Sequence, residues 1–176
     1  MLLKILIGLA LLALVFAIIV ARQPDNYRVT RTTTITAPAS TVFPLVNDFR
    51  RWDSWSPWAK LDPEMKQTFE GPATGVGAVQ TWSGNNKVGA GQATITESRV
   101  PELIRVKLEF LKPFESTSTS EFAFQPEGDR TVVTWTMVGD QTFVSKAFGL
   151  FINMDKMIGT DFEKGLAAMK TVAEAR

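Results

Sequence analysis

Residues 151–176 read FINMDKMIGTDFEKGLAAMKTVAEAR and form the longest amphipathic segment of the chain. Apolar residues recur in it every three or four positions, which places them on one side of a helix. They are Phe151, Met154, Ile158, Phe162, Leu166, Met169 and Ala173. The other side is polar, as in a helix that lies on a sheet with one face in water. We therefore expect most of the apolar stripe to be core and part of it to roof a cavity.

The chain upstream of this helix is typical of antiparallel strands. In residues 103–111, the apolar Ile104, Val106, Leu108 and Phe110 alternate with charged residues, which indicates a strand with one wet face. Further strands are predicted at residues 27–37, 65–70, 78–83 and 87–98, around Phe122 and Phe124, and around Val133, Trp135 and Met137. Tight-turn signals at residues 84–86 and 127–129 separate neighbouring strands.

Two short helices complete the predicted architecture. The first covers residues 39–49, with Ser40 or Thr41 near its N-cap and Pro44 in its first turn, where a missing N–H costs little. The second covers residues 146–151 and leads into the final helix. The whole predicts an α+β domain in which a curved antiparallel sheet wraps the long C-terminal helix.

The N-terminus has the composition of a membrane anchor. Residues 5–21 are uncharged and almost wholly apolar, between Lys4 and Arg22. Seventeen residues at about 1.5 Å each give roughly 25 Å, enough for a thin hydrocarbon core. A cleaved signal peptide is the alternative, with Val15-Phe16-Ala17 as a poor cleavage site. We favour the anchor because the apolar run continues beyond that site.

The sequence accordingly divides into an N-terminal transmembrane anchor (residues 1–22), a linker (23–26) and one domain (27–176). Lys4 argues for an N-terminus on the inner side, whereas Arg22, Arg28 and Arg31 argue against it. We expect a single-pass membrane protein with its domain on the outer, periplasmic or extracytoplasmic, side.

Composition excludes several kinds of chemistry. Nineteen basic and eighteen acidic residues leave a net charge of +1, without the basic excess that nucleic-acid binding requires. The chain has no Cys and no His, so it cannot build a Cys/His zinc site, a Cys nucleophile or a Ser-His-Asp triad. We expect no metal, no cofactor and no nucleic-acid partner.

An aromatic segment follows the first short helix. Trp52, Trp55 and Trp58 lie within seven residues and are interrupted by Pro57, which does not suit a regular strand. They either plug the mouth of a small core or line the entrance of an apolar pocket, presenting indole N–H groups to the polar end of a ligand.

Few residues are candidates for catalysis. Asp155 and Asp161 lie nearest the apolar side of the last helix, and burial would raise the pKa of either one enough for general acid work. The simpler interpretation is that Asp155 complements the helix dipole and Asp161 pairs with Lys164. Glu97, at a strand end, is expected in solvent. Gly75-Val76-Gly77 lacks the third glycine of a dinucleotide fingerprint and is interpreted as a strand bend.

Three segments together resemble a known family. NDFRRWDSWSPW (47–58), GPATGVGAVQTWSGN (71–85) and NMDKMIGTDFEKGL (153–166), in this order of elements, are similar to the START-like SRPBCC superfamily, and within it to the polyketide cyclase/dehydrase and lipid transport branch. The resemblance covers about residues 27–175. It implies a helix-grip fold whose cavity binds lipids, polyketides or hormones and more rarely serves catalysis.

The resemblance also implies ligand-binding positions. Trp52, Trp55 and Trp58 correspond to the cavity entrance; Trp82, Phe110, Phe122, Phe124 and Trp135 to inward-facing strand residues; and Met154, Ile158 and Phe162 to the helix wall. The family's catalytic members commonly use His, Tyr, Arg or Asp in the pocket. Here His is absent, and Tyr27 lies at the membrane-proximal end of the first strand.

These observations predict a membrane-tethered, non-catalytic domain that binds a hydrophobic small molecule or lipid between the sheet and the C-terminal helix, with transport of that molecule as a further role. One alternative is a cyclase or dehydratase that uses Asp, Arg or Tyr as acid and base. Another is a protein-interaction module with the aromatic segment as its docking surface.

Overall fold

The computed structural model describes residues 1–175, so the predicted end of the last helix at Arg176 lies outside the described residues. The helices are α1 (Leu2–Ala21), α2 (Ala39–Asn47), a 3-10 helix (Phe49–Ser54), α3 (Phe143–Gly149) and α4 (Met154–Glu174). The strands are β1 (Asn26–Ile35), β2 (Lys66–Glu70), β3 (Val79–Ser83), β4 (Ala90–Arg99), β5 (Leu103–Lys112), β6 (Ser116–Glu127) and β7 (Arg130–Asp140).

The seven strands form one antiparallel sheet in the order β1-β7-β6-β5-β4-β3-β2. Strands β2 to β7 follow one another as a meander, and β1 pairs with β7 over its whole length. A register shift between Ile95 and Glu97 marks an irregularity in β4, a device that bends a strand and helps a sheet to curl. The predicted α+β class, with a curved antiparallel sheet and a C-terminal helix, is confirmed.

Helix α4 packs on the sheet with the apolar side that the sequence indicates. Its buried residues are Gly159, Phe162, Gly165, Leu166, Met169 and Ala173. The helix starts later than predicted because Asn153 caps it, its side chain accepting the Lys156 backbone N–H at 2.9 Å. Phe151 therefore lies before the helix and is 81% exposed, so its predicted place on the apolar stripe is wrong.

Both short helices differ from their predicted bounds. Helix α2 follows Pro38 as its N-cap, which puts Pro44 inside the helix rather than in the first turn. An interior proline removes a helical hydrogen bond, and α2 ends three residues later. Helix α3 begins at Phe143 because the Thr142 side chain accepts the Ser145 backbone N–H at 3.2 Å.

Helix α1 stands apart from the rest of the chain. It has a mean hydropathy of 3.0 and is long and apolar enough to cross a membrane, properties that a signal sequence shares. Within it only Val20 is buried, at the end where α1 contacts α3. The apolar residues of α1 are thus left without a protein partner along nearly the whole helix.

Candidate functional site

The domain has an apolar pocket of about 290 Å³ between the aromatic segment and the inner face of β3 to β7. Five aromatic side chains line it: Trp52, Trp58, Trp82, Phe110 and Trp135. Its other apolar walls include Met65, Val88, Ala93, Leu108 and Met137. Pockets of about 300–1,000 Å³ with mostly apolar walls are those in which proteins hold small molecules.

Trp135 forms the back wall of the pocket. Its ring stacks on Phe162 of α4, with centroids 3.8 Å apart and planes 6° from parallel, and on Phe122 at 4.8 Å. Trp58 meets the same ring edge-on at 5.9 Å. Trp135 therefore joins α4 to the pocket wall, because Phe162 packs on its ring and no described residue of α4 lines the pocket.

The indole N–H groups are mostly used within the protein. Trp52 Nε1 donates to the carbonyl of Val46 at 2.9 Å, and Trp55 Nε1 donates to that of Leu45 at 2.8 Å. Both carbonyls belong to the last turn of α2, whose C=O groups have no partner within the helix. Of the two alternatives, the presentation of N–H groups to a ligand is therefore wrong for these two tryptophans, because each indole caps α2 instead.

Trp82 is held in the pocket wall by a neighbouring glycine. It pairs across strands with Gly91, where an added Cβ would lie 2.5 Å from the indole Cζ2. Its Nε1 donates to the carbonyl of Val88 at 3.1 Å, and its ring meets Phe110 edge-on at 5.8 Å. The absence of a side chain at Gly91 is what lets the indole lie flat against β4.

Two polar side chains are buried in this apolar wall. Ser120, 1% exposed, accepts the Trp135 indole N–H at 2.6 Å. Gln80, 7% exposed, donates from Nε2 to Gln67 Oε1 at 2.6 Å. The Ser120 hydroxyl hydrogen and the Gln80 carbonyl oxygen take no part in these two bonds, and both residues line the pocket.

Lys87 and Lys112 lie at the exposed edge of the pocket. The described residues that line the pocket include no carboxylate, arginine or tyrosine. In the described chain, lysine ion pairs involve Lys107, Lys146, Lys164 and Lys170. The two pocket lysines are thus available to a ligand.

The eleven predicted ligand residues separate into two groups. Trp52, Trp58, Trp82, Phe110 and Trp135 meet around the pocket. The other six lie elsewhere: Trp55, Phe122, Phe124 and Phe162 are fully buried in the packed core, and Met154 and Ile158 are partly buried on α4. Ligand binding by any of the eleven stays a prediction.

The predicted position of the cavity, between the sheet and the C-terminal helix, needs correction. The stacked rings of Phe122, Trp135 and Phe162 fill that space, and the recess opens instead under the aromatic segment. Sequence reasoning also missed lining residues such as Leu108, Ser120 and Met137. Strand alternation with Phe110, Phe122 and Trp135 was a signal for each of them.

The acidic candidates of α4 are engaged in surface ion pairs. Asp155 binds the Arg31 guanidinium through both oxygens at 3.0 Å, and Arg31 also donates to Glu163 at 2.7 Å. Hydrogen bonding from Arg31 lowers the pKa of Asp155, the opposite of what a general acid at neutral pH requires. Asp161 pairs with Lys164 at 3.0 Å, as predicted.

The Glu97 side chain is 31% exposed and forms ion pairs with Arg99 and Arg105. Within residues 1–175 there is no group of three or more His, Cys, Asp or Glu side chains arranged to hold a metal ion.

Comparison with known proteins gives a family and a fold. The family model described as polyketide cyclase/dehydrase and lipid transport matches residues 27–174. No curated protein sequence matches the chain.

Solved structures resemble the chain at low sequence identity. A protein from Chromobacterium violaceum has a TM-score of 0.60 at 13% identity, covering 86% of this chain and 99% of its own. A protein from Nitrosospira multiformis has a TM-score of 0.60 at 19% identity, covering 82% and 94%. The di-domain ARO/CYC protein BexL of the BE-7585A biosynthetic pathway has a TM-score of 0.61 at 18% identity, covering 90% of this chain and 53% of BexL. At these identities the likeness is one of fold.

Proposed function

The chain belongs to the polyketide cyclase/dehydrase and lipid transport family, and from this membership we propose that it binds a hydrophobic small molecule or lipid without transforming it. The observation that carries the proposal is the pocket of about 290 Å³ walled by five aromatic rings. Each 100 Å² of apolar surface that a guest buries there stabilises the complex by about 2.5 kcal/mol. Such a site needs no reactive group to hold its ligand.

The dimensions and charges of the pocket narrow the class of guest. A volume of about 290 Å³ suits a compact ring system or one segment of an acyl chain, and is too small for a whole phospholipid. Lys87 and Lys112 at the edge favour a guest whose polar end is anionic. Ser120 and Gln80 offer one donor and one acceptor deeper inside. We propose an apolar, ring-bearing or acyl molecule with an acidic end.

The family description also covers cyclisation and dehydration, which makes an enzyme the second class to consider. Those reactions need a group that accepts or releases a proton at the bound substrate. The ionisable side chains that line the pocket are two lysines at its exposed edge. This lining supports binding over catalysis.

Helix α1 is proposed as the anchor that keeps the binding domain at a membrane, with the domain on the outer side. The length and mean hydropathy of α1 support this proposal, and so does its exposure along nearly every turn.

Native mass spectrometry tests both the binding of an apolar guest and the anchoring by α1. The full chain is extracted gently from the membranes in which it was produced. We expect a co-purified small apolar acid on a polypeptide of 19.5 kDa, the mass of the chain with α1 retained. A polypeptide lighter by the mass of the first 17 or so residues would contradict the anchor and indicate a cleaved signal peptide. Conversion of the identified guest into a product when it is incubated with the protein would contradict the non-catalytic proposal.

The identified guest then allows a matched pair of variants. Phe110→Ala removes a ring from the pocket wall, whereas Leu111→Ala removes a side chain of the same strand that is 58% exposed and does not line the pocket. Loss of about 1 kcal/mol of apolar contact should weaken binding about fivefold in Phe110→Ala. Leu111→Ala should bind as the unmodified protein does. Equal affinities of the two variants, measured by calorimetry, would locate the guest elsewhere.

A further inference from the structure

Helix α3 exposes apolar side chains and buries its lysine, which is the reverse of the pattern expected for a helix in water. Phe143, Val144 and Phe148 are 53%, 59% and 56% exposed, whereas Lys146 is 8% exposed. The ammonium of Lys146 donates to Asp25 Oδ1 at 2.5 Å, and its side chain is covered although that carboxylate is exposed. A helix on a soluble domain normally buries its apolar side and leaves its lysine in solvent. The exposed side of α3 is therefore suited to an apolar medium.

The apolar surface continues beyond the helix. Phe151 and Ile152, in the connection between α3 and α4, are 81% and 45% exposed. We call the exposed side chains of Phe143, Val144, Phe148, Phe151 and Ile152 the α3 face. Contiguous exposed apolar surface of this kind marks a contact with a partner or a membrane.

The position of the end of α1 indicates that the contact is with a membrane rather than with a partner protein. Val20, in the last turn of α1, is fully buried where α1 contacts α3. Gln23 and Pro24, just after α1, line the same recess as Phe151 and Ile152. Pro24 lies only three residues after α1, and α1 contacts α3 directly, so the α3 face is beside the end of α1. If α1 crosses a bilayer, the α3 face is at the level of its surface.

The strand register places the edge of the pocket at the same end of the domain as the end of α1 and the α3 face. Asn26, the first residue of β1, pairs with Asp140 at the end of β7, and Gly139 pairs with Ser118 near the start of β6. Farther across the sheet, Ser116 pairs with Phe110.

In the next pair of strands, Lys112 of β5 pairs with Ala90 of β4. The pocket edge at Lys112 thus belongs to the end of the sheet from which α1 leaves. In the turn beyond Lys112, Phe114 is 74% exposed. Phe114 therefore adds a fourth exposed aromatic residue at this end, next to the pocket edge.

We propose that this end of the domain rests on the bilayer into which α1 inserts, with the α3 face and Phe114 in the interfacial layer and the pocket mouth opening onto the lipid. The inference rests on the anchor proposed above and adds to it the source of the guest, which enters the pocket from the membrane. Aromatic side chains are favoured in this interfacial layer.

Basic residues at this end agree with a lipid surface. Arg22 and Arg28 are exposed, and the arginine ion pairs of the described chain involve Arg31, Arg50, Arg51, Arg99 and Arg105. Lys87 and Lys112 add two further cations beside the pocket mouth. Basic side chains next to a span are attracted to anionic headgroups.

Depth measurement on the full chain tests the inference directly. The sequence has no cysteine, so a single cysteine carries an environment-sensitive fluorophore in each of three variants: Phe148→Cys, Phe114→Cys and Asp129→Cys. Asp129 lies in the turn before β7, whose 11 residues put it about 33 Å from the α3 end, and serves as the control. The proteins are reconstituted in vesicles of phosphatidylcholine and phosphatidylglycerol, with and without lipid that carries a nitroxide on its acyl chain.

Labels at positions 148 and 114 should emit at shorter wavelength and lose most of their fluorescence in nitroxide vesicles, and the label at 129 should lose none beyond background. A carbonate wash of the same vesicles reports separately whether the chain is anchored. Retention after the wash with labels 148 and 114 in water would overturn the docking and leave the anchor standing. Release by the wash would overturn both.

Two further outcomes also contradict the inference. Quenching at position 148 but not at 114 would show that the pocket mouth does not face the lipid. Energy transfer between labels at position 148 on different molecules, without lipid quenching, would show that a second copy of the chain covers the α3 face.

Discussion

Trp135 belongs both to the packed core and to the pocket wall. It is 1% exposed, its ring lies between Phe122 and Phe162, and its indole N–H donates to Ser120. The stack joins the sheet to α4, while the edge of the same ring faces the pocket. One side chain thus separates the part of the interior that is packed from the part that is open.

Ser120→Ala tests how much the buried hydrogen bond contributes. The change leaves the Trp135 N–H without its acceptor, so the free energy of unfolding should fall by about 1–3 kcal/mol. Thr119→Ala alters the neighbouring exposed residue on the other face of β6 and is the control. Urea unfolding of the full chain in detergent micelles, followed by tryptophan fluorescence, measures both. A difference between the two variants below about 0.5 kcal/mol would contradict the importance of this bond.

At the scale of elements, α4 is held against the domain by contact too close for a side chain. A Cβ on Gly165 would lie 3.0 Å from Pro57 Cδ and 3.0 Å from Trp135 Cζ3. Neither neighbour can move easily, since one is a ring of the chain itself and the other is stacked. Gly165 therefore sets the distance between α4, the aromatic segment and β7.

Gly165→Val should push α4 away from Trp135. Overpacking at a rigid site costs about 1–3 kcal/mol, more than the few tenths that valine gains over glycine as a helix former. Ala167→Val, at an exposed position of the same helix, should cost only about 0.5 kcal/mol. The comparison is made on the free energy of unfolding. Equal losses in the two variants would show that the contact at Gly165 is not a constraint.

Across the whole molecule, three carboxylates, in the linker before β1 and at the two ends of α4, bind groups on α3, on β1 and just after β1. Asp25 accepts from Lys146 of α3, Asp155 from Arg31 of β1, and Glu174 from the Thr36 backbone N–H just after β1. Hydrogen bonds to Lys146, Arg31 and Thr36, respectively, lower the pKa of each carboxyl group.

Because the pKa of each of these carboxyl groups is lower in the folded state than in the unfolded state, the stability of the fold decreases at acid pH. Each carboxylate contributes its stabilisation above its unfolded pKa of about 4, and the contribution is lost as the pH falls through the lower folded pKa. The melting temperature should therefore be nearly constant above about pH 5 and fall below about pH 4.

Calorimetry across this range checks the expectation. Asp155→Asn should reduce the acid-induced fall, whereas Asp129→Asn, at an exposed turn residue, should leave it unchanged. A fall of the same size in Asp155→Asn would show that the Arg31 pair does not contribute to acid sensitivity.

Local sequence patterns were sufficient to predict the helices and strands of the fold. Strand alternation around Phe110, Phe122 and Trp135 and the three-to-four spacing of α4 gave the antiparallel sheet and its helix, because burial of one face leaves its period in the sequence. The apolar spacing was not sufficient for the ends of the helices. Phe151 lies outside α4 because Asn153 caps that helix, and Pro44 lies beyond the first turn because α2 begins directly after Pro38.

Residue types and periods in the chain thus decided the fold class, the apolar α1 and the absence of His and Cys chemistry, since these are properties of neighbouring residues. Tertiary structure alone decided where the interior is filled and where it is open. Ring stacking of Phe122, Trp135 and Phe162 closes the space beside α4, and the capping of α2 by Trp52 and Trp55 occupies their indole groups. The ring stack joins side chains that are distant in sequence, and the indole capping depends on how the chain folds back onto α2 after its last turn.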